Sequence, residues 1–245
     1  ELKYFGDIYY EDLIVSGNID ITKDRVNFFI KSEFFKNLYF LKEYLDLPEV
    51  ANSWMYDNVT GDFKLNWFYG EFDLNKNKII EKSLQGDAVI ENAKIRFENS
   101  LEEINTSKVN VNFKNSTLHF DLVDAIYKEK ELKNSFVTIK DIANENNGLV
   151  LVNIEAKTSL DKDILGILEA YGIVVPILQK NGETQAKLLL SFPYAEDKPM
   201  SYNGVFIAEK SNISISGFDF ETNGAKVILE NDLLYINDAS FIYQD

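Results

Sequence analysis

The sequence predicts a mainly β protein: one long antiparallel sheet of repeated hairpins with two short helical insertions. Three observations carry this. Apolar and polar residues alternate with period two through most of the chain, which puts the apolar set on one face of a pleat. Phe (18) and Tyr (13) are abundant, and aromatic side chains favour strands. All four prolines fall at segment boundaries, leaving the intervening stretches free to pair.

The clearest hairpin is residues 108–120. Val109, Val111 and Phe113 alternate with Asn110, Asn112 and Lys114, and after a turn at Asn115-Ser116 the return strand carries Leu118 and Phe120. The same pattern returns over 225–236, where Val227 and Leu229 precede a turn at Asn231-Asp232, and Leu234 and Ile236 follow it. Both obey the frame Val-x-apolar-charged-Asn-x-x-Leu-x-apolar. Aligning Ala93-Lys94-Ile95 with Ser211-Asn212-Ile213 and the two hairpins with each other gives nearly constant offsets, the mark of a degenerate internal repeat.

Taken in order, residues 8–30 form a hairpin, with Leu13, Val15, Ile19 and Ile21 going out. A turn at Thr22-Lys23-Asp24 follows, and Val26, Phe28 and Ile30 return. The period then changes. Over 33–46, Phe34, Leu38, Leu41 and Leu45 fall at helical spacing, widened by Phe35 and Tyr39, and Pro48 stops the helix. A further short helical turn carries Val50 and Trp54. Strands resume with Phe63, Leu65 and Trp67, then Phe72 and Leu74 leading into a turn at 75–78. Val89, Ala93, Ile95 and Phe97 share a parity. After the founding hairpin come Val137 and Ile139, a polar turn over 144–148, and Val150, Val152, Ile154 and Ala156. A second helix spans 161–171. Ser159 or Asp161 caps it, Ile164, Leu168 and Tyr171 form its stripe, and Gly172 ends it. Ala186, Leu188, Leu190 and Phe192 restart the strands, and residues 204–243 read as consecutive short ones.

The chain is expected to be one elongated β unit over 1–245, cut from a longer protein. A hairpin and helix lie in 1–70, and repeated hairpins with the second helix in 71–245. Its formal net charge of −15 repels phosphate backbones and anionic bilayers, so no nucleic-acid partner is expected. No apolar run approaches a membrane-spanning length: the run at 172–178 is too short and contains Pro176. Any membrane anchor therefore lies outside this segment.

Chemistry-bearing motifs are few. There is no cysteine and a single histidine, His119, on the polar parity of a strand, which removes Ser-His-Asp and Cys-His mechanisms. Residues 73–77 imitate a calcium loop, but Lys78 replaces the turn glycine and Leu84 the closing glutamate. A hairpin turn is the reading there. Acidic residues, 40 in all, include Asp121, Asp124, Glu129 and Glu131, but no pair sits in an apolar context that would raise a pKa. No catalytic residue, metal site or cofactor is assigned. Asn105-Thr106-Ser107, with Glu103 two residues earlier, is similar to the extended acceptor of some bacterial periplasmic glycosylation systems, a match that chance explains in an Asn-rich chain.

Two stretches carry a family resemblance. Tyr44-Leu45-Asp46-Leu47-Pro48, then Trp54-Met55, Val59-Thr60-Gly61-Asp62 and Gly70, resemble the pattern of the domain of unknown function in YhdP-type proteins of the AsmA-like family. Met55 stands where that family more often has leucine. Ala170-Tyr171-Gly172 through Gly182 to Pro193, with the Ala93-Lys94-Ile95 and Asn212-Ile213 units, is similar to the AsmA-like region that follows it.

The resemblance implies a long curved antiparallel sheet, a taco-like groove, in the periplasm of a Gram-negative bacterium, tethered to the inner membrane. Its partners would be phospholipid acyl chains moving between the membranes. On that reading Val109, Val111, Phe113, Leu118, Phe120, Val227, Leu229, Leu234 and Ile236 line the groove. The alternative for the same nine residues is the ordinary core of a structural envelope scaffold or adhesin. The groove leaves them open along a strip, and the scaffold buries them.

Overall fold

The computed structural model describes residues 2–10, 13–43, 47–142, 144, 146–195 and 197–243, with the backbone alone at 50 and 51. Its strands are β1 (Leu2–Tyr10), β2 (Leu13–Ile21), β3 (Arg25–Ser32), β4 (Val59–Asp73), β5 (Lys78–Ile79), β6 (Gln85–Ile95), β7 (Ile104–Lys114), β8 (Thr117–Val123), β9 (Ala125–Tyr127) and β10 (Lys130–Leu132). They continue as β11 (Phe136–Lys140), β12 (Leu149–Thr158), β13 (Ile177–Gln179), β14 (Thr184–Pro193), β15 (Ser201–Ala208), β16 (Ser211–Ile215), β17 (Phe218–Thr222), β18 (Ala225–Glu230), β19 (Leu233–Asn237) and β20 (Phe241–Tyr243). The helices are α1 (Glu49–Asn52), prolonged by a π-turn over Ser53–Asp57, and α2 (Lys162–Ala170).

Sixteen strands make one antiparallel sheet in the order β1-β2-β3-β4-β6-β7-β8-β11-β12-β14-β15-β18-β19, with β5, β9 and β10 at its margins. It does not close into a barrel. Register carries the apolar parity from strand to strand. One row runs from Ile21 through Val26 to Phe72, and another from Phe120 through Val137, Val152 and Leu190 to Tyr202. Because side chains alternate strictly across a pleat, these rows merge into a single apolar inner face.

The parity flips along β6 and β7, and again between β8 and β9 and between β10 and β11. Asn92 in β6 adopts φ 51° and Gly61 in β4 φ 155°, where the β4–β6 register shifts. As a result Ile90 and Ala93, three residues apart, both enter the core. Asp124 (φ 53°) separates β8 from β9, and Asn134 (φ 53°) lies between β10 and β11. A residue inserted in left-handed geometry kinks a strand and strengthens its twist.

Toward the C-terminus the kink widens into a break. Residues 180–183 separate β13 from β14, Glu209-Lys210 separate β15 from β16, Asn223-Gly224 separate β17 from β18, and residues 238–240 separate β19 from β20. Gly182 (φ 79°), Gly224 (φ 144°) and Asp238 (φ 53°) supply the unusual backbone. The short ends pair as a four-stranded sheet, β13-β16-β17-β20, in the same order as their parents β14-β15-β18-β19. This small sheet is a lip, folded over from the main sheet.

Several expectations change. The helix read over 33–46 is absent from its described part, where only one 3-10 turn forms, over Tyr39–Leu41. Phe35 instead exchanges two backbone hydrogen bonds with Phe63, both 2.8 Å, which hold the chain extended, and stacks on its ring at 5.8 Å. Leu45 and Asp46, with Tyr44 of the resemblance motif, lie outside the described residues. Trp67 does not share a face with Phe63 and Leu65: the register shift between Leu65 and Trp67 turns it to the outer face, where it stacks on Phe29 at 6.4 Å. Val89 is likewise separated from Ala93 and Ile95 by the Asn92 flip. The strand expected from residue 8 begins earlier: β1 starts at Leu2, with Leu2, Tyr4, Ile8 and Tyr10 on one face and Lys3, Phe5, Asp7 and Tyr9 on the other.

Candidate apolar groove

The nine candidate residues all project from the inner face, in two hairpins of identical register. Val111 pairs with Phe120 and Phe113 with Leu118; Val227 pairs with Ile236 and Leu229 with Leu234. Between these hairpins the floor is continued by Val137, Ile139, Val150, Val152, Leu188 and Leu190. These six belong to the site as much as the nine do. Their alternation was equally visible in the sequence, and only the absence of a repeated frame kept them out of the candidate set.

Helix α2 covers the middle of this floor. The Asp161 carboxylate accepts from the backbone N–H groups of Asp163 (3.1 Å) and Ile164 (3.3 Å), satisfying two donors that a helix start leaves open. Gly172 turns the chain at φ 73°. Ile164 and Ile167 pack into the cluster of Val109, Val111 and Leu122, and Leu168 into that of Val137, Val152 and Leu190. Trp54, T-shaped on Phe97 at 5.4 Å, and Tyr171 bridge the two clusters. The Tyr171 hydroxyl donates to the Phe97 carbonyl at 3.3 Å, and burial pushes its phenol pKa well up.

The floor is therefore closed centrally and open at its ends. Val109 (1% exposed), Val111 and Leu229 (4%) are buried. Phe113, Leu118, Phe120, Val227 and Leu234 are half-buried, and Ile236 is 41% exposed. At the N-terminal end Leu2, Tyr4, Ile8 and Tyr10 extend the same face into solvent. At the C-terminal end, between lip and sheet, an apolar cavity of about 40 Å³ is lined by Leu168, Ile213, Val227, Leu234, Ile236 and Phe241, among others.

An ionic clasp pins the start of α2 to the β9–β10 turn. Lys128 reaches Asp163 (3.1 Å) and Glu102 (3.4 Å), and Lys130 reaches Asp161 (3.0 Å) and Asp163 (3.4 Å). The hydrogen bond from Lys128 lowers the Asp163 pKa. Burial works against the charge of Lys130, but its bonds to the two aspartates outweigh that and raise its pKa.

The polar motifs resolve as local structure. His119 stands on β8 with Nδ1 2.7 Å from Thr138 Oγ1 and Nε2 3.1 Å from Asp121. Asp73 closes the β4–β5 turn by accepting from the N–H groups of Asn75 and Lys76, both at 3.0 Å, which lowers its pKa. Asn105 is exposed on β7, paired to Lys94 on one side and Ile126 on the other. Among the described residues no three Asp, Glu or His side chains group as metal ligands, and no helix is long and apolar enough to cross a membrane.

Comparison with curated proteins and with solved structures finds no match. The family model described as YhdP protein matches residues 42–242. That span runs from the segment before α1 to the last strand of the lip, and takes in the floor, the helix over it and the cavity. The chain belongs to the YhdP family, a family of cell-envelope proteins.

Proposed function

We propose that this chain is a periplasmic segment of an inner-membrane-anchored protein that binds or conducts phospholipid acyl chains along its apolar inner face, without catalysis. The observation that carries the reading is the unbroken apolar parity across the main sheet, left open to solvent at both ends. An acyl chain of about 16 methylenes costs on the order of 10 kcal/mol to hold in water, at about 0.8 kcal/mol per methylene. A lining that stays apolar from strand to strand removes most of that barrier at each step. Movement along it then needs no energy source in this segment.

One observation favours the scaffold reading: Val109, Val111 and Leu229 are buried in core clusters to which the chain's own helix α2 contributes. The conducting state on our reading has α2 displaced, exposing the floor that joins the two open ends. The test is uptake. The chain is incubated with phosphatidylethanolamine vesicles, repurified and analysed by native mass spectrometry with solvent extraction. Stoichiometric lipid, diminished in Ile236→Asp and Phe113→Asp, supports the groove. A folded protein that emerges lipid-free supports the scaffold.

A further inference from the structure

The cavity beneath the lip differs from the rest of the floor. Elsewhere the inner face is covered by α2, by Trp54 and by neighbouring loop residues, or is open to solvent, whereas here two sheet faces oppose each other with space between them. The main-sheet wall is Phe206, Val227, Leu234 and Ile236, and the lip wall includes Ile213 and Phe241. Strand order sets its direction. Thr184 and Gln179 stand at the inner side, on β14 and β13, while Ile236 and Phe241 stand on β19 and β20, the last strands of their sheets. Both of these are substantially exposed, Ile236 at 41% and Phe241 at 37%, so the space reaches the surface at that edge. Phe218, Ile242 and Tyr243 surround the same edge with further exposed apolar surface.

The wall offers an occupant almost nothing polar. The Thr184 hydroxyl donates to Gln179 Oε1 at 2.7 Å, and that oxygen also accepts from the Leu160 N–H at 2.8 Å, which fixes the orientation of the amide. The Thr222 hydroxyl donates to the Gly224 carbonyl at 2.9 Å. Gln179 Nε2 has no partner among the described residues, but it exposes next to no surface. Two neighbouring cations, Lys180 and Lys210, are held by Asp219 (2.6 Å) and Glu221 (2.8 Å); these carboxylates have the strand parity opposite to Phe218 and Phe220, on the outer side of the lip. A dry apolar cavity excludes water and takes apolar groups, while native interiors elsewhere are close-packed.

We propose that this cavity receives the terminal methylenes of an alkyl chain whose headgroup stays outside, at the Ile236–Phe241 edge. The inference rests on the groove reading, and gives it a dead-end seat at the C-terminal end of the floor. Seating the tail tip there would hold an amphiphile at the open end of the groove while α2 still closes the middle.

Ala208 and Ala225 pair across β15 and β18 and both line the cavity, so Ala225→Leu fills it from the wall. The probes are n-alkyl phosphocholines of about 8 to about 14 carbons, for which a fully buried methylene is worth about fourfold in affinity. Affinity of the unaltered chain should climb by roughly that factor for each of the few methylenes that a cavity of about 40 Å³ holds, and level off beyond. In Ala225→Leu the levelling should come at a shorter chain. Ala208→Val, a smaller filling change, should show the same levelling if the larger one disturbs folding. An unchanged length dependence in both variants overturns the cavity while sparing the groove. No binding of any chain by the unaltered protein overturns both.

Discussion

Thr106 and Thr222 occupy the same place in two hairpins far apart in the chain, and each hydroxyl accepts from the backbone N–H two residues ahead, while that of Thr106 also reaches the Val123 carbonyl at 2.5 Å. The Thr106 hydroxyl accepts from the Lys108 N–H (3.3 Å) and lies 2.9 Å from the Lys108 carbonyl. The Thr222 hydroxyl accepts from the Gly224 N–H (3.2 Å) and donates to the Gly224 carbonyl (2.9 Å). Thr106 pairs with Ala93, and Thr222 with Ser211, so the repeat includes the corner as well as the hairpin. In the first copy the strand kinks and stays in the main sheet. In the second it breaks and founds the lip.

Both threonines are buried, and their hydroxyls satisfy backbone groups that the kink removes from the ladder. Thr106→Val and Thr222→Val keep the side-chain shape and leave those groups unpaired, at a cost of about 1–3 kcal/mol each. Urea unfolding measures this. The corresponding serine variants should recover most of the loss.

The candidate groove residues should separate by their place on the floor. Leu229→Ala, under the covered part, should cost about 2–5 kcal/mol. Ile236→Ala, at the open edge, should cost under about 1 kcal/mol. Equal costs in denaturant titration would mean that the edge is as closed as the centre.

The clasp on α2 should respond to acid. Lys128 lowers the Asp163 pKa, so this aspartate contributes stability above the ordinary carboxylate range and loses it as pH falls through its depressed folded value. The pKa of Lys128 is raised, first by the same hydrogen bond, so its share is present at neutral pH and is lost only as pH rises through that raised value. Amide-exchange protection of α2, corrected for intrinsic rates, should therefore hold at neutral pH and fall below about pH 4. Asp163→Asn should show weaker protection at neutral pH and a flatter acid response. Asp161→Asn retains the helix cap and should loosen α2 less than Lys130→Met.

The founding hairpin turns through Asn115 (φ 51°) and Ser116 (φ 58°), the left-handed pair that favours Asn-Gly. Ser116→Gly should stabilise the fold by up to about 1 kcal/mol, read as a rise in urea midpoint without a change in slope.

Much of this architecture was legible because alternation survives in a sheet with one apolar face. The two hairpins, the alignment of residues 93–95 with 211–213, and the Asp161 cap and Gly172 stop of α2 all follow from residue types at fixed spacing. The corner was hidden for a physical reason. A single left-handed residue such as Asn92 reverses parity without changing composition, so Val89 and Ala93 read as neighbours on one face. The extended path of residues 33–38 was also hidden, since the bonds from Phe35 to Phe63 join segments far apart in sequence and override the helical spacing of Phe34 and Leu38. What covers the floor was equally invisible. Periodicity marks an apolar face and does not say whether a helix, a lip or a lipid lies on it.

The central claim concerns which face meets lipid, and the outer face supplies its own control. Ile207 on β15 and Ile126 on β9 are outward and 47% and 43% exposed, close to the 41% of inward Ile236. A photoreactive phenylalanine analogue placed singly at Ile236, Phe113, Ile207 and Ile126 can be irradiated with vesicles of labelled phospholipid. Adducts at Ile236 and Phe113, with none at Ile207 and Ile126, are the predicted result. Equal labelling of both faces, or none at the inner positions of a folded protein, would contradict the groove.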